Sequence, residues 1–134
     1  MKKYLLDTHT FIWAVLDDDK LSRPVLNLFQ DNNCPLFVSA VSFWEMSIKQ
    51  GKGKLNFENF HIQHLFDYCK RLGVKPISLP PEEAINYSKL SFIESHKDPF
   101  DRMLICQCIA NGYVLVSRDA RMAEYKTNGL ECVW

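Results

Sequence analysis

The stretch DPFDRMLICQCIANGYVLVSRD, residues 98–119, decides the fold. Asp98-Pro99 supplies a helix cap and then a proline whose φ is already helical. From Met103 to Ala110 apolar side chains recur around nearly the whole helical circumference, which marks a helix buried on all sides. Asn111-Gly112 ends that helix, Tyr113 to Val116 is a short apolar strand, and Asp119 stands just beyond it. A buried helix feeding straight into a buried strand is the repeating half of a parallel α/β sheet.

Working outward, the same alternation covers the chain. Tyr4-Leu5-Leu6 reads as a strand that ends at Asp7, and Thr8 to Leu16 as a helix closed by the solvated run Asp17-Asp18-Asp19. Ser22 and Pro24 open a second helix. Leu36 to Val38 is a second strand, and Ser39 leads into a helix that ends near Gly51. Lys52 to Phe60 is loop-like, and a helix is expected from about Glu58 to Leu72, with Gly73 as its stop. A strand over Val74 to Leu79, a helix opened by Pro80-Pro81, a short helix over Asp119 to Tyr125 and a last strand over Leu130 to Val133 complete the reading. The expectation is a single domain over residues 1–134: a three-layer αβα sandwich around a mostly parallel sheet.

The 134 residues carry sixteen Lys+Arg and sixteen Asp+Glu, for a formal charge of zero. That balance excludes a strongly basic nucleic-acid tether but allows a local acidic site with a basic rim. Five cysteines at 34, 69, 106, 108 and 132 form no CxxC pair, so they read as small buried side chains in a reducing compartment. The opening Met1-Lys2-Lys3 does not resemble a signal peptide, and no stretch approaches the roughly 20 apolar residues of a membrane span. A cytoplasmic location with no membrane partner is expected.

In an open parallel sheet, ligands bind beyond the carboxyl ends of the strands. Asp7 and Asp119 each follow a strand, Asp98 and Asp101 begin the buried helix, and Glu45 lies early in the helix after the second strand. Several carboxylates at one sheet edge suit a hard divalent cation. Each acid also has an ordinary explanation: Asp7, Asp98 and Asp119 as helix caps, Asp101 at a helix dipole, Glu45 paired with Lys49. Glu45 argues against that for its own position. With Val41, Trp44 and Ile48 as the apolar stripe, it falls about 40° from Val41, where a carboxylate is costly without a cation.

Leu5-Leu6-Asp7-Thr8-His9, Ser42-Phe43-Trp44-Glu45, His96-Lys97-Asp98-Pro99-Phe100-Asp101-Arg102 and Val116-Ser117-Arg118-Asp119 together resemble the PIN-domain nucleases, most of all the VapC-type toxins of bacterial toxin–antitoxin pairs. The resemblance runs in order over nearly the whole chain, and Asp-Pro-Phe-Asp-Arg is its most specific piece. It implies a metal-dependent endoribonuclease with Mg²⁺ or Mn²⁺ held by Asp7, Glu45, Asp101 and Asp119. It also implies that Thr8 and Ser117 hydrogen-bond the acids, with Asp98 either joining them or only capping. Arg102 and Arg118 neighbour the acids and are candidate phosphate contacts, with surface ion pairs as the alternative. RNA is the implied substrate, a cognate antitoxin the implied partner, and a homodimer the implied assembly.

A haloacid-dehalogenase-like phosphatase would need a second Asp where His9 stands, and a receiver domain would need adjacent N-terminal acids and a late Lys. An inactive PIN-like binding module is the remaining alternative, though this chain retains all four implied acids. The apolar Phe11-Ile12-Trp13 run and the segment containing Leu55, Phe57, Phe60, Leu65 and Phe66 hold more apolar surface than one helix face buries. Trp13, Phe57 and Phe60 are accordingly expected to line the partner groove.

Overall fold

A computed structural model describes residues 1–53 and 61–134. Its sheet is built from β1 (Tyr4–Leu6), β2 (Leu36–Ser39), β3 (Val74–Ile77), β4 (Val114–Val116) and β5 (Glu131–Val133), in the order β3-β2-β1-β4-β5, and every pairing is parallel. The helices are α1 (Thr8–Leu16), α2 (Arg23–Gln30), α3 (Ala40–Gly51), α4 (Ile62–Leu72), α5 (Pro81–Ile85) and α6 (Pro99–Asn111), with a 3₁₀ helix over Ala120–Asn128.

Period-two alternation divides the sheet between two cores. Leu6, Val38 and Val116 face one side with Phe11, Val25, Met46 and Leu65. Leu5 and Leu115 face the other with Leu104, Ile105, Cys108 and Tyr125. The expected three-layer αβα sandwich is what forms. The chain winds from β1 through β2 to β3, then returns through α6 to place β4 on the opposite flank of β1. The crossover directions therefore reverse between β1 and β4, and at such a switch point the strand ends part to leave a crevice. Asp7 follows β1 there, and Ser117 to Asp119 follow β4.

Some boundaries move for local reasons. β3 stops at Ile77 rather than Leu79 because its partner β2 ends at Ser39, so no ladder remains. Pro76 is tolerated because β3 is an edge strand. The segment after Asp119 winds as a 3₁₀ helix. α4 begins at Ile62, and the expected start at Glu58 lies outside the described residues. Helix α6 is central, yet it buries Arg102 and Gln107 among its apolar residues. Gln107 stays satisfied because Nε2 donates to Ser78 O (3.1 Å) and Glu83 Oε2 (3.0 Å), while Oε1 accepts from the Ser39 hydroxyl. Cys69, Cys106 and Cys108 are buried, as small apolar side chains should be. Among the described residues, no helix is long and apolar enough to cross a membrane.

Candidate metal centre

Asp7, Asp98, Asp101 and Asp119 line one cavity of about 370 Å³ at the switch point, together with His9, Trp13, Arg118 and Arg121. A larger cavity of about 520 Å³, between α4 and β3, contains none of these acids.

Each acid is held by the backbone turn it begins. Asp7 caps α1, with Oδ1 accepting from Thr10 N at 2.8 Å, and it is 7% exposed. Burial pushes its carboxyl above the usual carboxylate range, opposed by hydrogen bonds from Ser117 and Thr10. Asp98 caps α6 through Oδ1, which accepts from Phe100 N (2.8 Å) and Asp101 N (3.1 Å). Asp98 therefore caps the helix and also lines the cavity. Asp101, one turn into α6, is pushed up to about 6 by burial, then by the charges of Asp98, Asp7 and Glu45, with the His96 hydrogen bond opposing.

The expected hydroxyl partners are in place. Thr8 Oγ1 donates to Glu45 Oε1 at 2.7 Å, and Ser117 serves Asp7 while its Oγ accepts from Asp119 N at 3.1 Å. Glu45 is 2% exposed, but not for the reason its helical stripe suggested. Trp44, assigned to that stripe, is 62% exposed and packs its ring edge-on against Phe100 at 5.1 Å. The buried face of α3 runs instead through Val41, Ser42, Glu45 and Met46. Glu45 thus lies well inside the protein, with Oε2 accepting from Lys49 Nζ at 2.6 Å, and it stands outside the cavity lining.

Two arginines change places relative to expectation. Arg102 is 8% exposed and is no phosphate contact in this arrangement. Its guanidinium donates to Ser91 O (2.9 Å), Tyr125 Oη (3.0 Å) and Tyr87 Oη (3.3 Å), which commits it to the interior. Arg121, which no motif singles out, lines the cavity. Its Nε lies 3.0 Å and its Nη2 2.6 Å from the two Asp119 carboxylate oxygens, and it holds Asp119 below the usual carboxylate range. Arg118 stays on the cavity wall, exposed, as a phosphate contact requires.

Asp119 thus has a resident cation, and a divalent ion must compete with it. Arg121→Gln is expected to tighten Mn²⁺ binding about twofold to fivefold, the range of an exposed ion pair. Calorimetric titration against the unchanged protein measures this, and weaker binding by the variant would show that Arg121 does not compete.

The aromatic surface is more fully covered than its sequence suggested. Phe11 is 0% and Ile12 9% exposed, because α1 packs on two sides. Phe11 meets Phe43 edge-on at 5.6 Å, and Trp13 meets Trp134 at 5.9 Å. Leu65 is buried in the core, while Phe66 stays 47% exposed. Trp13 belongs to the wall of the acid cavity, and Phe57 and Phe60 lie outside the described residues.

The donor set fits a hard divalent ion: carboxylate oxygens gathered on one cavity, with burial opposing the ionisation of Asp7 and Asp101. His96, Asp101 and Asp119 also bring ligand-type atoms within 4.8 Å of one another, although both His96 ring nitrogens are already engaged, by Tyr125 and by Asp101. Fold and site together define a parallel αβα domain with an acidic pocket at its topological switch. The PIN domain family model matches residues 4–128, and the chain belongs to that family. No curated protein matches it in sequence. Solved structures share the fold at low identity. VapBC2 from Rickettsia felis, bound to a DNA fragment from its promoter, is 17% identical with TM-score 0.68, covering 97% of this chain and 96% of that one. VapBC-1 from nontypeable Haemophilus influenzae is 18% identical with TM-score 0.68 and the same coverage. FitAcB from Neisseria gonorrhoeae is 16% identical with TM-score 0.60, covering 98% of this chain and 96% of that one.

Proposed function

We propose that the chain is a Mg²⁺- or Mn²⁺-dependent endoribonuclease and the toxin of a type II toxin–antitoxin pair. The observation that carries this reading is the convergence of Asp7, Asp98, Asp101 and Asp119 on one cavity in a PIN-family chain. When bound, the divalent ion supplies a water ionised near neutral pH and offsets charge building on the phosphate. Asp7 and Asp101 hold it as principal ligands. Asp119 completes the pocket or orients the attacking water once Arg121 releases it. Glu45 joins only if Lys49 lets go of Oε2; otherwise it acts through its charge on Asp101. Asp98 fixes the first turn of α6, while Thr8 and Ser117 orient Glu45 and Asp7. Among the described residues lining the cavity, Arg118 and the released Arg121 are the arginines placed to meet a phosphate.

The partner reading rests on the resemblance of the fold to VapBC and FitAcB. An antitoxin segment that touches Trp13 lies over the acids, because Trp13 is part of their cavity wall. A basic side chain on that segment then takes the place of the metal ion. Homodimerisation through other surfaces and action in the cytoplasm belong to the same proposal. Retention of every implied acid favours an enzyme over an inactive binding module. The test is direct: purified protein is expected to cut single-stranded RNA with Mn²⁺ or Mg²⁺ and to stop when a chelator is added. Cleavage at the same rate in chelator would overturn the metal role.

A further inference from the structure

His96 is completely buried two residues before the α6 cap, and both of its ring nitrogens are engaged. Nδ1 lies 2.9 Å from Tyr125 Oη, and Nε2 lies 3.2 Å from Asp101 Oδ2. Tyr125, also completely buried, comes from the 3₁₀ helix that follows β4 and shares a core with Leu104 and Ile105 of α6, and its ring meets the imidazole edge-on at 5.5 Å. The same hydroxyl accepts from Arg102 Nη1 at 3.0 Å. Arg102 is fixed in turn by Tyr87, Ser91 and Leu90.

Proton accounting assigns the tautomer. A guanidinium only donates, so Arg102 takes up one lone pair of the Tyr125 hydroxyl and offers nothing to its proton. A buried hydroxyl proton needs an acceptor. Among the described residues, the acceptor within reach is His96 Nδ1. Nδ1 is then unprotonated, Nε2 carries the hydrogen, and that hydrogen is donated to Asp101 Oδ2. A second proton on the ring would leave the Tyr125 hydroxyl buried with nowhere to donate.

We infer that His96 is a positioning residue: Tyr125 holds it as the neutral Nε2–H tautomer, and it pins Asp101 Oδ2 so that Oδ1 is the oxygen offered to a divalent cation. The inference rests on the proposed metal role of Asp101. Left to itself, a carboxylate rotates about its last bond and presents either oxygen or both. The line from Arg102 through Tyr125 and His96 removes that freedom with groups that do not touch the ion. A histidine that merely tied α6 to the 3₁₀ helix would leave metal affinity unmoved in any variant that still folds. Outer hydrogen-bond partners of metal-binding side chains are typically worth about 10–100-fold in metal affinity.

Two substitutions separate the ends of the imidazole. Glutamine places an amide nitrogen as many bonds from Cα as Nε2, whereas asparagine reaches only as far as Nδ1. Titrated with Mn²⁺, His96→Gln is expected to bind within about threefold of the unchanged protein and His96→Asn about 10–100-fold more weakly. Equal affinities in two folded variants, or equal losses in both, overturn the inference. ¹⁵N NMR of the unsubstituted, metal-free protein reads the tautomer independently of any variant's folding. An Nε2–H signature is expected, and an Nδ1–H signature overturns the inference. Tyr125→Phe, which keeps the ring and removes the hydroxyl, is expected to give a mixture of tautomers. A spectrum unchanged by that substitution means Tyr125 does not hold the ring and also overturns it. Should the unsubstituted protein not bind Mn²⁺, the proposed metal function fails, and the positioning of Asp101 for metal fails with it. The NMR result then still separates a fixed tautomer from an unfixed one.

Discussion

Asp7→Asn is expected to lower metal-dependent RNA cleavage by about 10³-fold or more while making the metal-free protein more stable. The loss follows from the charge. A divalent ion contributes several kcal/mol of transition-state stabilisation, and each ~1.4 kcal/mol is tenfold in rate. An amide keeps the shape of a ligand but not its negative charge. The gain follows from the same burial. Asp7 is 7% exposed and its ionised form is disfavoured there, so a neutral side chain of equal size removes a cost. The fold tolerates the change, because asparagine caps helices as well as aspartate and can still accept from Thr10 N. A gain of about 1 kcal/mol in chelator is expected, of the kind seen when an active site gives up its function for stability. Single-turnover cleavage of a short RNA and thermal melts in chelator measure the two effects. A variant that cuts at the unchanged rate would remove Asp7 from the metal centre, and one that is less stable would show that its charge is well paired in the folded state.

The fold was legible where residue type and structural role agree. Tyr4–Leu6, Leu36–Ser39 and Val114–Val116 are short apolar runs because they are buried strands, and each lies within a helix–strand alternation that only a parallel sheet accommodates. Legibility ended where a polar residue had to be inside or an apolar one outside. Trp44 was assigned to the core by its hydrophobicity, yet α3 turns Ser42 and Glu45 inward to meet Thr8, and that rotation puts Trp44 in solvent. Arg102 looked like a surface cation beside an acid, and nothing in its neighbours announces the Tyr87, Ser91 and Tyr125 oxygens that surround it. His96 and Tyr125 stand 29 positions apart, a pairing no periodicity connects. Arg121 was missed for a geometric reason. It reaches Asp119 from two residues away because Asp119 caps a 3₁₀ helix, where the turn folds the side chain back. Sequence order located the acids; which of them already had partners was a property of the tertiary packing.

In the absence of metal, thermal stability is expected to fall as pH is raised from about 4 to about 6.5, and saturating Mn²⁺ at pH 7 is expected to restore it. Folded Asp101 holds its proton more tightly than the unfolded chain, at about 6 against 3.8. Its contribution to stability is therefore complete below 3.8 and is lost as pH rises through about 6. Asp7 is shifted in the same direction and adds to the loss. Asp119 has the opposite sign: its pKa is lowered by Arg121, so its contribution is present above 3.8 and is lost in more acidic solution. The two signs do not overlap in the window, and the downward slope between 4 and 6.5 belongs to the pocket acids. For Asp101 alone the full loss is on the order of 3 kcal/mol. Metal at one hundred times its dissociation constant returns about 2.7 kcal/mol by mass action. For a chain of this length that is roughly 10 °C in Tm. Asp101→Asn is expected to flatten the slope across the same window and to reduce the Mn²⁺ shift. Melts at half-unit pH steps, with and without millimolar Mn²⁺, decide the matter. A slope that survives in Asp101→Asn would place the proton elsewhere, and a Tm unmoved by Mn²⁺ would mean that the crowded carboxylates of this cavity do not share a cation.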